Sequence, residues 1–342
     1  MLIVVKSYII TTNKGTLDKY RLSLAIAVVR MKEWGHRMIT SEVFDKFTVY
    51  KETEAHQFCY ITIGQASFYE DFATYLLDFE MIKRHATVNL GVSDELTLDD
   101  YNEIYNRLIA FVDFEKIYSV ANLDQAIIDA MDAELIRETA DLRKDKWGRI
   151  GEYIFNTILD TYFNLDCIVR KFALNTSPNM SVFGIDTIHC SLADHTLFFG
   201  ESKMVGSLDN GVTLITKSLK SYEAQIAKEY FTIRNNNFNK NTEFLALFEY
   251  SMKRCLNFTS FIKAANITKI GVPVFISHGG DHTPENVFKK LREIPMKQLF
   301  DLETQYYLIS VPIIDKNKFR DAFVNVIRQK IEECQECIAK LS

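Results

Sequence analysis

The sequence has few of the residues that break or cross-link a chain. Its 342 residues include 5 prolines, 13 glycines and 6 cysteines. So few prolines and glycines exclude a collagen-like or linker-rich chain. The thinly spread cysteines argue against a disulfide framework. Cys334 and Cys337 form a CxxC pair, but no second pair supplies the remaining ligands of a zinc site. We therefore interpret them as two small residues on a helix.

Long apolar stretches are also missing. Lys6 interrupts the apolar opening of the chain, which is too short for a secretory leader. A membrane helix needs about 18 uninterrupted apolar residues, and no stretch approaches that length. The composition, 47% hydrophobic and 25% charged, is ordinary for a globular protein. We therefore expect a cytoplasmic protein with no membrane partner.

Neither sign of charge is in large excess, but the two signs are unevenly distributed. The formal net charge is −5. Residues 1–135 carry 13 basic and 21 acidic side chains, whereas residues 136–342 carry 27 and 24. Binding to a polyanion depends on the local field and not on the total charge. We therefore predict a nucleic-acid-binding domain at 136–342, preceded at 1–135 by a partner-binding or restraining module.

Hydrophobic periodicity predicts both strands and helices in the first 135 residues. Strands are predicted over Val4–Thr11 and Phe47–Ile63, and helices over Tyr69–Arg84 and Leu98–Phe114. This is an α+β region. It contains no catalytic constellation.

The second part predicts an α/β core. Its order of helix, three strands, helix and strand is typical of a mixed central sheet flanked by helices. The predicted helices are Gly151–Phe163, Val212–Arg234, Thr242–Asn257 and Asn317–Leu341. The predicted strands are Asp166–Phe172, Ser181–Ser191, Leu197–Val205, Gly271–Ser277 and Tyr307–Ile314.

A predicted hairpin carries the residues that could do chemistry. If residues 192–195 form its turn, paired residues have numbers that sum to 387. Asp186 then lies opposite Glu201, and Gly184 opposite Lys203, all on one face. Toward the turn the same face is apolar, with Ile188, Cys190, Leu197 and Phe199.

Two opposed carboxylates need a cation between them. They repel each other otherwise, and Mg²⁺, with Mn²⁺ as a substitute, prefers one or two carboxylates plus water. Lys203 points to the same side and would stabilise charge that develops on a phosphate. Glu152, on the core-facing stripe of the preceding helix, supplies a third carboxylate. We predict that Glu152, Asp186 and Glu201 are metal ligands, and that these three and Lys203 are catalytic residues. The alternative is an ordinary salt-bridge ladder on the protein surface.

Three further groups of residues are weaker candidates. Lys217, Ser221 and Gln225 recur at four-residue spacing and would contact a nucleic-acid backbone or form a solvated helix face. Ser277–His282 resembles a phosphate or metal loop but lacks the strand–GKS–helix context of a P-loop. His189 lies on the other hairpin face from Asp186, so we expect it to pack or to form local hydrogen bonds.

The candidate site resembles that of the PD-(D/E)xK nuclease superfamily. Glu152 matches the helix glutamate, Asp186 the aspartate, and Glu201-Ser202-Lys203 the (D/E)xK triplet. Ile185 stands where the family name has proline. Gln225 matches a glutamine on the second core helix of some branches. The resemblance implies a restriction-endonuclease-like core and Mg²⁺-dependent phosphodiester hydrolysis.

A closer resemblance covers roughly residues 140–235. Gly151-Glu152, residues 176–189 and Phe199–Met204 are similar to the HamA family, the nuclease-type effectors of Hachiman anti-phage defence. This implies DNA as substrate and a HamB-like superfamily 2 helicase that restrains the nuclease until it is triggered. Two alternatives remain open: a stand-alone restriction or repair-type nuclease, and a non-catalytic DNA- or partner-binding module with a degenerate nuclease fold.

Overall fold

The structure is a computed structural model of the chain. It describes residues 32–34, 37–44, 47–62, 68–90, 96–112, 148, 150–170, 185–191, 193–235 and 242–341. The predicted strand Val4–Thr11 and the predicted domain boundary at residue 135 lie outside the described residues. The division into two domains stays a prediction.

The described elements come as runs of strands and runs of helices, and only the last four alternate. The strands are β1 (Lys32–Trp34), β2 (Arg37–Phe44), β3 (Phe47–Thr53), β4 (Gln57–Thr62), β5 (Asp166–Arg170), β6 (Thr187–Ser191), β7 (Thr196–Met204), β8 (Lys269–His278) and β9 (Glu303–Pro312). The helices are α1 (Phe68–Leu76), α2 (Phe79–Leu90), α3 (Leu98–Val112), α4 (150–161), α5 (Leu208–Ser218), α6 (Tyr222–Asn235), α7 (Thr242–Arg254), α8 (Phe258–Ala264), α9 (Pro284–Leu291) and α10 (Lys316–Leu341).

In the described part of the chain, the strands form one mixed sheet. Its order is β1-β2-β3-β4-β9-β8-β7-β6-β5. Strands β4, β9, β8 and β7 are mutually parallel, while the pairs at both ends of the sheet are antiparallel. A mixed sheet flanked by helices was predicted and is confirmed. The sequence did not predict that β4 pairs with β9, which joins the strands of the first 135 residues to the same sheet.

Helices cover both faces of the sheet. On one face, α5 to α9 each bury a large side chain against it: Ile215, Tyr222, Met252, Phe261 and Phe288. On the other face, α1 to α4 and α10 form a second core, to which they contribute Phe72, Ile82, Tyr105, Phe155 and Phe319. Burial of one such side chain contributes about 1.5–3 kcal/mol. These two cores hold the carboxyl end of β7 between two layers of helices.

Several predicted elements are interrupted in the structure. Phe47–Ile63 contains two strands because the chain turns at residues 54–56, where the Glu54 amide donates to the His56 carbonyl at 3.0 Å. Tyr69–Arg84 contains two helices because Asp78 accepts a hydrogen bond from the Glu80 amide and begins α2. Sequence analysis also missed α8 and α9, each of which begins at a capping side chain.

The long helix predicted over Val212–Arg234 is broken. A 3₁₀ turn at Leu219–Ser221 separates α5 from α6. The predicted terminal helix is confirmed, since α10 covers Lys316–Leu341. No helix within the described ranges is long and apolar enough to cross a membrane. All six cysteines are free thiols, as expected.

Candidate active site at the open edge of β7

The hairpin of β6 and β7 has the predicted register. Its pairs run from Ser191 with Thr196 to Thr187 with Gly200, and every pair sums to 387. His195 adopts φ 49° in the turn and is exposed. The apolar face is also confirmed, because Ile188, Cys190, Leu197 and Phe199 are all buried in one core. Gly184 lies outside the described residues.

Among the described residues, β7 extends beyond the end of β6, and we call this unpaired part of β7 its open edge. The last β6 residue in the ladder, Thr187, pairs with Gly200, whereas β7 continues to Met204. Asp186 takes the next position: its Oδ2 accepts hydrogen bonds from the Ser202 amide at 2.6 Å and the Ser202 hydroxyl at 2.9 Å. The Asp186 carboxylate therefore replaces the backbone partner that a longer β6 would supply.

Glu201 is a buried carboxylate with one unsatisfied oxygen. Only 4% of the residue is exposed. Its Oε1 accepts a hydrogen bond from Lys203 Nζ at 2.6 Å, and the same ammonium donates to the Ser202 carbonyl at 3.0 Å. Its Oε2 is buried and has no hydrogen-bond partner among the described residues. An unsatisfied charged oxygen in a buried position is costly unless a cation approaches it.

The two carboxylates and the lysine perturb one another electrostatically. Burial, and then the charge of Glu201, raise the pKa of Asp186 to about 7. Burial alone would lower the pKa of Lys203, but Glu201 and Asp186 outweigh it and raise that pKa. Burial also raises the pKa of Tyr222, with Glu201 and Asp186 adding to the shift. The site therefore combines a charged ammonium with a carboxyl, that of Asp186, whose ionisation is disfavoured by burial and by the neighbouring Glu201.

Glu152 lies beside this site, and its role as a metal ligand stays a prediction. It is half-buried on α4, and its charge contributes to the raised pKa of Lys203. Its neighbour Gly151 faces Met204, since a Cβ there would lie 3.3 Å from Met204 Cβ. Within the described residues, no group of three or more His, Cys, Asp or Glu side chains is placed to hold a metal ion. The structure thus brings Asp186, Glu201 and Lys203 together, and places Glu152 nearby.

A sequence model of the HamA family matches residues 42–327. The chain belongs to the HamA family. The match includes every residue of the candidate site, from Glu152 to Lys203. HamA proteins belong to the Hachiman anti-phage system, so this chain is a defence-associated protein. No curated protein matches it significantly.

A buried polar network fixes α4 of this HamA protein against β6. Within it, His189 is fully buried, and its Nε2 lies 3.0 Å from Asp160 Oδ1. Its Nδ1 lies 3.1 Å from the Thr187 hydroxyl, which donates to Asn156 Oδ1 at 2.5 Å. The contact with Thr187, two residues away, is the local hydrogen bond that was expected. The contact with Asp160 was not predicted, because Asp160 lies 29 residues earlier on α4.

The predicted contact stripe on the following helices is not continuous. Gln225 Nε2 donates to the Ser218 carbonyl at 3.3 Å and to the Ser221 hydroxyl at 3.1 Å, across the 3₁₀ turn. Lys217 instead lines a cleft of about 390 Å³ on α5, together with Val212, Thr213, Thr216, Lys220 and Glu293. The polar groups of Ser221 and Gln225 thus bond to each other, and Lys217 belongs to a separate surface. Contact of these residues with nucleic acid stays a prediction.

Residues 277–282 comprise the last two residues of β8 and the loop after it, beside the end of β7. His278 is fully buried, with Nε2 at 2.8 Å from the Ser310 hydroxyl and Nδ1 at 3.0 Å from the Gly279 carbonyl. Burial lowers the pKa of His278. Both ring nitrogens of His278 therefore have partners within the protein, and a phosphate- or metal-binding role of residues 277–282 stays a prediction.

Lys316 is a charged neighbour of the site that the sequence did not predict. Lys316, the first residue of α10, donates from Nζ to the Met204 carbonyl at 3.2 Å. It is 112 residues away from Met204 along the chain. No local pattern links the two positions, so only the fold reveals the contact.

Proposed function

We propose that this HamA-family protein is a Mg²⁺-dependent DNA endonuclease that acts in a defence complex with a HamB-like helicase. The observation that carries the proposal is the buried, unsatisfied Oε2 of Glu201 beside a second carboxylate, Asp186, and the ammonium of Lys203. This combination lies at the end of β7 that extends past β6 among the described residues.

The donor set fits a hard divalent cation. Asp186 and Glu201 are oxygen ligands, and Mg²⁺ usually takes one or two carboxylates and completes its shell with water. Both hydrogen bonds to Asp186 use Oδ2, and Glu201 Oε2 accepts none among the described residues. Bound there, Mg²⁺ or Mn²⁺ would act as a Lewis acid and lower the pKa of water. Glu152 would act as a neighbouring charge in this arrangement.

The protein groups would orient the substrate and balance its charge. The two hydrogen bonds from Ser202 hold the Asp186 carboxylate in one position. The raised pKa keeps Lys203 protonated, so it acts as a fixed positive charge and not as a base. A fixed ammonium in a partly buried site stabilises negative charge that develops on phosphorus. The basic excess of residues 136–342 favours approach of DNA.

Family membership supports the helicase partner. HamA proteins act within the Hachiman system, and we propose that a HamB-like superfamily 2 helicase restrains this chain until invasion is sensed. The acidic excess of residues 1–135 suits them to a contact with that partner and not with DNA.

Plasmid nicking by the purified chain with its helicase tests the proposal. Glu201→Gln and Lys203→Met should each lower the nicking rate in Mg²⁺ by about 100-fold or more, the effect of losing one stabilising group. Asp301→Asn, an exposed change, is the control. Nicking at the wild-type rate by both site variants would contradict the nuclease assignment. A wild type that binds DNA without nicking it would indicate a non-catalytic module, and nicking without a stable helicase complex would indicate a stand-alone nuclease.

A further inference from the structure

The open edge of β7 carries two ammonium groups. Lys203 Nζ donates to the Ser202 carbonyl at 3.0 Å, and Lys316 Nζ donates to the Met204 carbonyl at 3.2 Å. Carbonyls two residues apart on a strand point to the same side and lie about 6.5 Å apart. The backbone of Val205 faces β8, since its amide donates to the Ser277 carbonyl, so the Ser202 and Met204 carbonyls face away from β8. Both ammonium groups therefore stand along the edge that Asp186 occupies.

The two lysines reach this edge from opposite faces of the sheet. Lys203 lies on the same face of β7 as Leu197 and Phe199, because even spacings along a strand share a face. These two residues pack against α6 and α8. Lys316 begins α10, whose Phe319 is buried in the core on the other face. Positive charge thus flanks the open edge on both sides.

The two ammonium groups differ in how their charge is balanced. Lys203 forms an ion pair with Glu201. Lys316 is half-buried and has no carboxylate within ion-pair distance among the described residues, and burial lowers its pKa. An ammonium that loses water without gaining a counter-ion is stabilised by an incoming anion. A phosphate group at the edge would supply that anion.

We propose that Lys316 is a second substrate-contacting lysine, which binds a non-bridging phosphate oxygen of the nucleic-acid strand at the open edge of β7. The inference rests on the proposed function, because it assumes that the strand passes Asp186 and Glu201. The competing role is structural: Lys316 would only satisfy the Met204 carbonyl, and its charge would not matter.

Three variants separate these roles in the full chain with its partner. Lys316→Met keeps the aliphatic stem and removes the charge, and Lys316→Arg keeps the charge. Lys318→Met, an exposed lysine in the same helical turn, is the matched control. DNA binding is measured in EDTA over a range of salt, and plasmid nicking is measured in Mg²⁺. Thermal unfolding reports on the fold.

A phosphate contact predicts a change in salt dependence. The slope of log Kobs against log salt is negative, and for Lys316→Met with duplex DNA it should become less steep by about 0.9. The other two variants should keep the wild-type slope. The nicking kcat of Lys316→Met should fall by about 100-fold with KM changed only a few-fold. A wild-type slope in Lys316→Met would overturn the proposal, as would equal losses in Lys316→Met and Lys316→Arg with the same lowered Tm. A slope that depends on Lys316 in a chain that never nicks DNA would support the phosphate contact and refute the nuclease.

Discussion

Replacing Asp186 with asparagine should stabilise the fold at alkaline pH. Burial and Glu201 raise the pKa of this carboxyl from 3.8 to about 7. A raised carboxyl pKa means that the folded state favours the protonated form of Asp186. The contribution of this carboxyl to the free energy of unfolding is therefore greatest below about pH 4 and is lost as the pH rises through 7. The whole shift corresponds to roughly 4 kcal/mol. Between pH 5 and pH 8 the wild type should therefore lose roughly 2–3 kcal/mol that Asp186→Asn retains.

Urea unfolding in EDTA at pH 5 and pH 8 measures this difference. The asparagine oxygen can still accept from the Ser202 amide and hydroxyl, so the variant keeps those hydrogen bonds. Asp301→Asn, at an exposed position, should follow the wild type at both pH values. Added Mg²⁺ at about 100 times its Kd should stabilise the wild type by about 2.7 kcal/mol and the Asp186 variant by much less. The reasoning is refuted if the Asp186 variant is less stable than wild type at pH 8, or if the difference does not change with pH.

Two further substitutions test the packing around the site. A Cβ at Gly200 would lie 2.5 Å from Thr187 Cγ2 and 2.7 Å from Phe155 Cε1. Gly200→Ala should therefore lower stability by about 1–3 kcal/mol, whereas Gly206→Ala, with no atom within 4 Å, should not; equal thermal unfolding of the two variants would contradict this. Arg292→Met removes the ion-pair partner of the buried Glu52 and should cost about 3–5 kcal/mol in urea unfolding. Most of that loss should return when Glu52→Gln is added, and no recovery would argue against the buried charge as its cause.

The register of the β6–β7 hairpin could be predicted from the sequence because it is local. The turn closes over four residues, and strand alternation then assigns each side chain to a face. The apolar face of Ile188 and Phe199 therefore followed directly. The position of the Asp186 carboxylate could not be predicted in this way, because the ladder ends at Thr187 and the Asp186 side chain turns to Ser202.

Long-range contacts explain what the sequence could not predict. The pairing of β4 with β9 joins residues about 250 positions apart, and neither strand carries a pattern that specifies the other. Lys316 comes beside Met204 only because α10 packs on the α4 face of the sheet. The break at Leu219–Ser221 is also tertiary in origin, since Tyr222 turns into the core to donate to the Phe199 carbonyl at 2.8 Å. Hydrophobic periodicity continues smoothly across such a break.

The position of β9 between β4 and β8 has a consequence for truncation of this chain. Removing β4 would leave β9 as an exposed edge strand. Its unpaired backbone amides and carbonyls could then form hydrogen bonds with a strand of another polypeptide. By pairing with β9, β4 therefore shields this edge of the sheet from self-association. A truncated chain that lacks β4 should therefore be prone to self-association along β9.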